Sequence, residues 1–447
     1  MSDGAKRFLL ATWEGGGNLT PEMGIAKRLL ARGHSVHVLA DSAAEAAARG
    51  TGCTFSSWQR APNKKSLAPE DDLMRDWEFK NPLKLFQHAL DVFFAGPQGR
   101  YAADVLEIVD RERPDCILAD FAMLGAIMAA EARKLPCAVI IPNIYMRSAP
   151  GIPPLGPGWM PARGPLGKMR DGIMRALSER IWKKGLPPIN AARADLGLAP
   201  LSSFWSQYDR ADAAFVLTSR AFDFEAERLP ENVRYLGPVL DDPAWAAQWT
   251  PPWPEGSPEP VVLVALSSTY QNQLAVLSNV VQALSGLPVR ALVTLGPALA
   301  PDAIRSTSPN VVVVRTAPHG AVIPRASLVV THCGHGTTIK ALAAGVPLLC
   351  MPMGRDQNDT AARVVARGAG LRIKPTSSPE TIRAALARLI AEPGFREAAG
   401  RLAGAMASEA AQVDLVGEIE SVARSRAPAV SGAGSTVAGP SLHAAGA

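Results

Sequence analysis

The run Leu328 to Gln357, LVVTHCGHGTTIKALAAGVPLLCMPMGRDQ, restricts the fold more than any other stretch of the 447 residues. Leu328, Val329 and Val330 form an unbroken apolar run, as a strand buried on both faces requires, and Ile339, Leu342 and Ala343 recur at helical spacing until Gly345 and Pro347 end the helix. Between strand and helix lies His332-Cys333-Gly334-His335-Gly336-Thr337-Thr338. Glycines at such a junction let the backbone approach a ligand closely, and the free N–H groups of the first helical turn favour an anion such as phosphate. A second strand, Val346 to Met351, runs into Pro352 and a loop carrying Asp356 and Gln357. A neighbouring carboxylate and amide suit the vicinal hydroxyls of a sugar. Both sets of side chains leave the carboxyl ends of adjacent parallel strands, where open α/β sheets bind ligands, so the residues point to a diphosphate beside a sugar.

The same alternation of strand and helix recurs along the chain. Arg7 to Trp13 is a strand, Glu14 to Asn18 a turn, and Thr20-Pro21 opens a helix with Met23, Ala26, Leu29 and Leu30 inward, ended by Gly33 before the strand Ser35 to Ala40. A dinucleotide fingerprint, with Asp41 as its ribose acid, fails on spacing because Thr20 stands where the third glycine belongs. Pro114 to Asp120 and Ala138 to Pro142 read as further strands. Six prolines between Asp241 and Pro260 mark a linker. Beyond it strands are expected at Val261 to Ser267, Val289 to Leu295, Val311 to Thr316, Leu328 to Thr331, Pro347 to Met351 and Leu371 to Lys374. The expected class is α/β, two doubly wound Rossmann-like domains facing across a cleft. Its divisions are an N-terminal domain over 1–240, the linker 241–260, a C-terminal domain over 261–395, a helix over 396–425 returning to the first domain, and a disordered small-residue tail over 426–447.

The ordered motif T-H-x-G-x-G-T, A-G-V-P and D-Q resembles the donor signature of the family 1 glycosyltransferases, inverting enzymes of the GT-B fold that include bacterial natural-product enzymes. The resemblance implies a nucleoside diphosphate sugar as co-substrate, no cofactor and no metal. It implies that His332, Gly334, Gly336, Thr337 and Ser268 meet the diphosphate, that Thr316, Ala317 and Lys340 meet the nucleoside, and that Asp356 and Gln357 hold the sugar. In the family the N-terminal half binds the acceptor. Trp77, Phe86, Phe94, Met123 and Tyr145 are therefore expected to line a pocket for a lipophilic hydroxylated or phenolic molecule.

The chain departs from that pattern at two positions. The family's general-base histidine aligns with Asn18, which cannot take a proton, so Asp120, the strand-end carboxylate that normally orients that histidine, becomes the expected base with Asn18 orienting the acceptor. Lys340 stands where many UDP-sugar enzymes have a ribose-binding glutamate, which leans the donor towards dTDP over UDP.

The net charge of +5 comes without long basic runs, so no nucleic acid partner is expected. Five scattered cysteines and the lack of a long apolar run fit a cytoplasmic enzyme without stable membrane insertion. The amphipathic segment Lys168 to Lys184 is expected to pack on its own domain. Two other classes compete: an epimerase or hydrolase of the same fold, which would turn over donor without acceptor, and a catalytically silent nucleotide-sugar-binding protein, which would explain Asn18 directly.

Overall fold

The computed structural model describes residues 4–243, 246, 249–254 and 258–424, and the tail expected from 426 lies outside them, as does part of the linker. In the N-terminal half, strands β1 (Arg7–Ala11), β2 (Ser35–Ala40), β3 (Thr54–Ser57), β4 (Cys116–Asp120), β5 (Cys137–Ile141), β6 (Ala213–Val216) and β7 (Val233–Tyr235) form one sheet in the order β3-β2-β1-β4-β5-β6-β7. In the C-terminal half, β8 (Val261–Ala265), β9 (Arg290–Thr294), β10 (Val311–Val314), β11 (Leu328–Thr331), β12 (Leu348–Cys350) and β13 (Gly370–Arg372) form a second, in the order β10-β9-β8-β11-β12-β13. Every pairing is parallel. The central strands are buried along almost their whole length, as β4 and β5 show, because helices cover both faces of each sheet.

Parallel pairing puts all carboxyl ends of a sheet at one edge. That edge of the first sheet carries Thr12, Asp41 and Asp120; that of the second carries Ser267, Thr316, His332 and the loop to Asp356. The halves also share packing. Ile144 and Phe222, from the N-terminal half, are fully enclosed in the cluster built around Leu263, Ala265 and Val329.

Two expectations change. The chain end is two helices, of which Pro393–Ala410 stays on the second half through Ala399, Leu402 and Met406, while only Leu415–Arg424 returns to the first through Val416, Ile419 and Val422. The break at Ala411–Asp414 provides the turn that lets Glu420 reach His34 at 2.8 Å. Secondly, the helix Gly164–Trp182 keeps Leu166, Met169, Ile173 and Leu177 exposed, against the expectation that its apolar stripe packs inward. The face turned towards the protein carries Asp171 and, at its end, Trp182. Among the described residues no helix is long and apolar enough to cross a membrane, and the five cysteines are buried and form no disulfide.

Candidate active site

Helices that start at the cleft leave their N-caps unspent. Asn18 precedes the helix Leu19–Ala31, Gly334 the helix His335–Ala343 and Asp356 the helix Gln357–Ala366, and none of the three side chains or positions provides a capping bond. Asn81, Ser203 and Ser378, by contrast, accept from first-turn N–H groups of their own helices. First-turn N–H groups, or a cap side chain, are thus left for other work at these three places.

On the N-terminal side, Asn18 turns its amide to Asp120, with Nδ2 3.2 Å from Oδ2, and also donates to the Trp13 carbonyl at 3.0 Å. Asp120 Oδ1 accepts from Trp13 Nε1 at 3.1 Å and from the Ala122 N–H at 2.8 Å. Burial lifts the Asp120 carboxyl to about 6 against the lowering effect of those bonds.

Glu22, which sequence reasoning passed over, completes this cluster. It is fully buried, accepts from the Thr12 hydroxyl, and has the Asp120 carboxyl as its hydrogen-bonding neighbour. One Glu22 oxygen, Oε1, meets no N–H or O–H donor among the described residues. Two carboxyl groups in contact bond only when one holds a proton. Burial first and Asp120 second push Glu22 well above the usual carboxylate range, so Glu22 is the protonated partner and Asp120 the ionised one.

Glu22→Gln, an isostere of the neutral acid, is therefore expected to keep the fold. Glu22→Leu, which strands Thr12 and Asp120, should cost about 1–3 kcal/mol in a denaturant melt. A Gln variant as weakened as the Leu variant would mean that the position needs a charge.

The loop between β1 and Asn18 is held from below. Asp41 spends one oxygen on the Glu14 N–H at 2.8 Å and the other on the Lys64 N–H at 2.9 Å, and it is fully buried. It therefore has no free group for a ribose, which agrees with the failed dinucleotide spacing. Glu14, also missed, is lifted to about 7 by burial, with Oε1 accepting from the Gly16 N–H at 2.8 Å.

On the C-terminal side, Gly334, Gly336 and Thr337 are partly open at the start of their helix. His332 is pushed down to about 3 by burial and by the charge of Arg355, so it is a neutral imidazole, and its Nδ1 has no partner among the described residues. Cys333 holds φ 68, Asn272 φ 55 and Arg355 φ 53, left-handed values that side chains other than glycine adopt at a cost. They sit on the three loops after β8, β11 and β12, so backbone strain gathers where the ligand motif was read. Ser267 Oγ lies 3.0 Å from Thr269 Oγ1, while Ser268 is half-buried.

Asp356 bonds across the cleft to Asn143 Nδ2 at 2.9 Å. Gln357 departs from its expected place at the sugar. Its Oε1 accepts from the Met353 and Gly354 N–H groups at 2.7 and 3.0 Å and its Nε2 donates to Gln271, leaving it 1% exposed as a brace of the loop. Lys340 is not a free surface lysine, since Nζ meets Asp242 Oδ1 at 2.6 Å and Asp242 also accepts from the Gly320 N–H. Thr316 is half-buried, and the Ala317 side chain faces the core, so only its backbone is available to a base.

The acceptor expectations divide. Phe94 and Tyr145 line an apolar cavity of about 50 Å³ together with Phe121, Ile141, Trp182 and Trp205. Phe86 stands edge-on to Trp182, ring centroids 4.8 Å apart. Trp77 instead meets Tyr270 of the other half at 5.0 Å. Met123 is a correction: it is wholly enclosed in the core, because its N–H bonds back to the Asp120 carbonyl and turns the residue inward.

The glycine loop that leads to Asn18 touches the donor-side loop. A Cβ on Gly16 would lie 2.7 Å from Thr269 Cγ2 and 2.8 Å from Ser268 Oγ, too close to be accommodated without a shift. The loop leading to Asn18 and the loop after β8 therefore pack against each other.

Comparison with known proteins agrees with this geometry. Residues 278–422 match the family described as Erythromycin biosynthesis protein CIII-like, C-terminal domain. The chain is 29% identical over 421 residues to 4'-demethylrebeccamycin synthase of Lentzea aerocolonigenes, covering 93% of this chain and 99% of that protein. The glycosyltransferase of kitacinnamycin has the same fold at a TM-score of 0.73 and 22% identity, over 94% of this chain and 99% of that one. The glycosyltransferase VinC in complex with dTDP superposes at 0.66, also with 22% identity, over 93% and 99%. With two parallel sheets, the glycine-rich turn at the edge of the second and a relative matched along nearly its whole length, the chain has the GT-B fold and is similar to glycosyltransferases of bacterial natural-product biosynthesis.

Proposed function

We propose that the protein is an inverting glycosyltransferase that moves a sugar from a nucleoside diphosphate to a lipophilic hydroxylated or phenolic natural-product acceptor. The observation that supports the reading is the close approach of Gly16, in the loop leading to Asn18, to Ser268 and Thr269, which joins the loop beside the Asp120 carboxylate to the donor-side loop after β8. The acceptor oxygen attacks the anomeric carbon as its proton passes to Asp120, and the diphosphate leaves towards the open N–H groups of the helix His335–Ala343. Ser268, Gly334, Gly336 and Thr337 bond its oxygens, the helix dipole and nearby cations offset its charge, and no metal is required. Asp356 holds the sugar hydroxyls.

Asp120 is fully buried, with the Asn18 amide on Oδ2. The acceptor hydroxyl therefore reaches the base as that amide swings off the carboxylate and bonds the acceptor instead. A cavity of about 50 Å³ is far below the roughly 300–1,000 Å³ of pockets for drug-sized ligands. The wall carried by Trp182 moves on acceptor entry. Lys340 supports dTDP over UDP because its ammonium, neutralised by Asp242, cannot accept from a ribose hydroxyl; the likeness to VinC, which binds dTDP, points the same way.

The test is a turnover screen of UDP- and dTDP-sugars with and without phenolic, polyketide and terpenoid acceptors, read by mass spectrometry. Acceptor-dependent sugar addition, fastest with a dTDP-sugar, is expected. One observation favours a second reading, a donor-binding protein without transfer: Asn18 stands in the base position and seals Asp120. Donor binding with no product against any acceptor would establish it.

A further inference from the structure

Arg355 sits between the donor motif's strand and its Asp356, and its guanidinium is spent across the cleft. Nε meets Asp76 Oδ2 at 2.6 Å, Nη2 meets Asp76 Oδ1 at 3.3 Å, and Nη1 meets Thr269 Oγ1 at 3.3 Å. The two side chains are 20% and 13% exposed. Asp76 belongs to the N-terminal half, on the short turn Asp76–Glu78, and the next residue, Trp77, stands against Tyr270. One short segment of the acceptor half thus covers both the Thr269–Tyr270 loop and Arg355.

The remaining acids whose charge bears on Arg355 are Asp72 and Asp356. Asp72 lies 3.6 Å from Lys64 Nζ and Asp356 is held by Asn143, so Asp76 is the partner in direct contact. Arg355 also lies close enough to His332 for its charge to bear on the imidazole. A planar fork that binds a carboxylate in two places binds a phosphate equally well, and a diphosphate brings more negative charge than one carboxylate.

We propose that Arg355 is a diphosphate-binding residue of the donor site, and that the Asp76 carboxylate holds its fork until a nucleoside diphosphate displaces it. Donor entry then frees the Asp76 carboxylate from the donor-side loops. This inference rests on the nucleotide-sugar reading above.

The exchange has a signature that a simple brace between the halves lacks. If Asp76 competes with the diphosphate, Asp76→Asn should bind dTDP or UDP about 5- to 50-fold more tightly than the parent, with no change for thymidine or uridine. Arg355→Met should weaken the diphosphates by roughly 10- to 100-fold, again sparing the nucleosides. Arg355→Lys should fall between, since charge remains and the fork is lost.

Calorimetric titration of the full chain decides the matter. Diphosphate affinity unchanged or weakened in Asp76→Asn, or unchanged in Arg355→Met, would overturn the exchange while leaving the donor reading intact. A parent protein that binds neither dTDP nor UDP would overturn the donor reading, and this inference with it.

Discussion

Replacing Asp120 with Asn is expected to lower acceptor-dependent turnover by roughly 100- to 10,000-fold, the range that a positioned general base supplies, while donor affinity is unchanged. The expectation rests on where the proton can go. The histidines of the N-terminal half are committed elsewhere: His34 to Glu420, His37 to Thr54 and Ser56, and His88 against Phe79. Asp120, lifted to about 6 by burial, is half-ionised there and almost fully ionised at neutral pH. Activity should rise with pH through about 6 and level above it, and the Asn variant should lose that limb. For stability the sign reverses. A folded-state value raised from 3.8 to about 6 means that the folded protein holds the proton more tightly. The stability it contributes is complete below the unfolded value and is lost as pH rises through the folded one. Activity is gained in the window where this contribution to stability is lost. Turnover kept within severalfold in the Asn variant, or an acid limb that survives it, would remove Asp120 as the base.

What could be read from sequence was what is local in sequence. The strands β8, β9, β11 and β12 stand out as runs of Val, Leu and Ala because both faces are buried. The edge strands β3, with the sequence TFSS, and β7, three residues long, carry no such run, whereas the edge strand β10, VVVV, keeps it with only its first residue fully buried. The glycine-rich turn between β11 and the helix His335–Ala343 was legible because strand, glycines and helix start are consecutive. Arg355 needed a partner 279 positions away before it could be read as anything but a loop cation. Asn18 and Asp120 lie 102 positions apart, and only the resemblance to a known family joined them. Glu22 looked like an ordinary acid in a first helical turn, a place where a carboxylate is favourable anyway. Its burial against Asp120 is a property of the β1–β4 pairing. Gln357 differs for a related reason: an amide beside a carboxylate suits hydroxyls and backbone N–H groups equally, and only the bend of the 353–357 loop decides between them.

The pairs Arg363–Asp223 and Arg355–Asp76 both join the halves, and their burial separates a permanent bond from an exchangeable one. Arg363 Nε meets Asp223 Oδ1 at 2.6 Å with the side chains only 3% and 2% exposed, against 20% and 13% for Arg355 and Asp76. Asp223 accepts further from the Tyr145 N–H and the Tyr235 hydroxyl, both at 2.9 Å, and Arg363 lies over the Phe224 ring at 4.3 Å. Removing one member of such a pair leaves the other charged in a medium that cannot solvate it. Arg363→Met is expected to cost about 3–5 kcal/mol in equilibrium denaturation, and adding Asp223→Asn should restore a large part of that loss because no bare charge remains. Asp76→Asn, at a partly wetted pair, should cost at most about 1 kcal/mol. The contrast matters for function, because a donor diphosphate can displace Asp76 only if the halves stay joined when that contact opens. Phe222, enclosed in the C-terminal core beside Asp223, supplies the apolar part of the lasting connection. If Arg363→Met lost no more stability than Asp76→Asn, both pairs would be equally dispensable, and the cleft would have no fixed side about which to open.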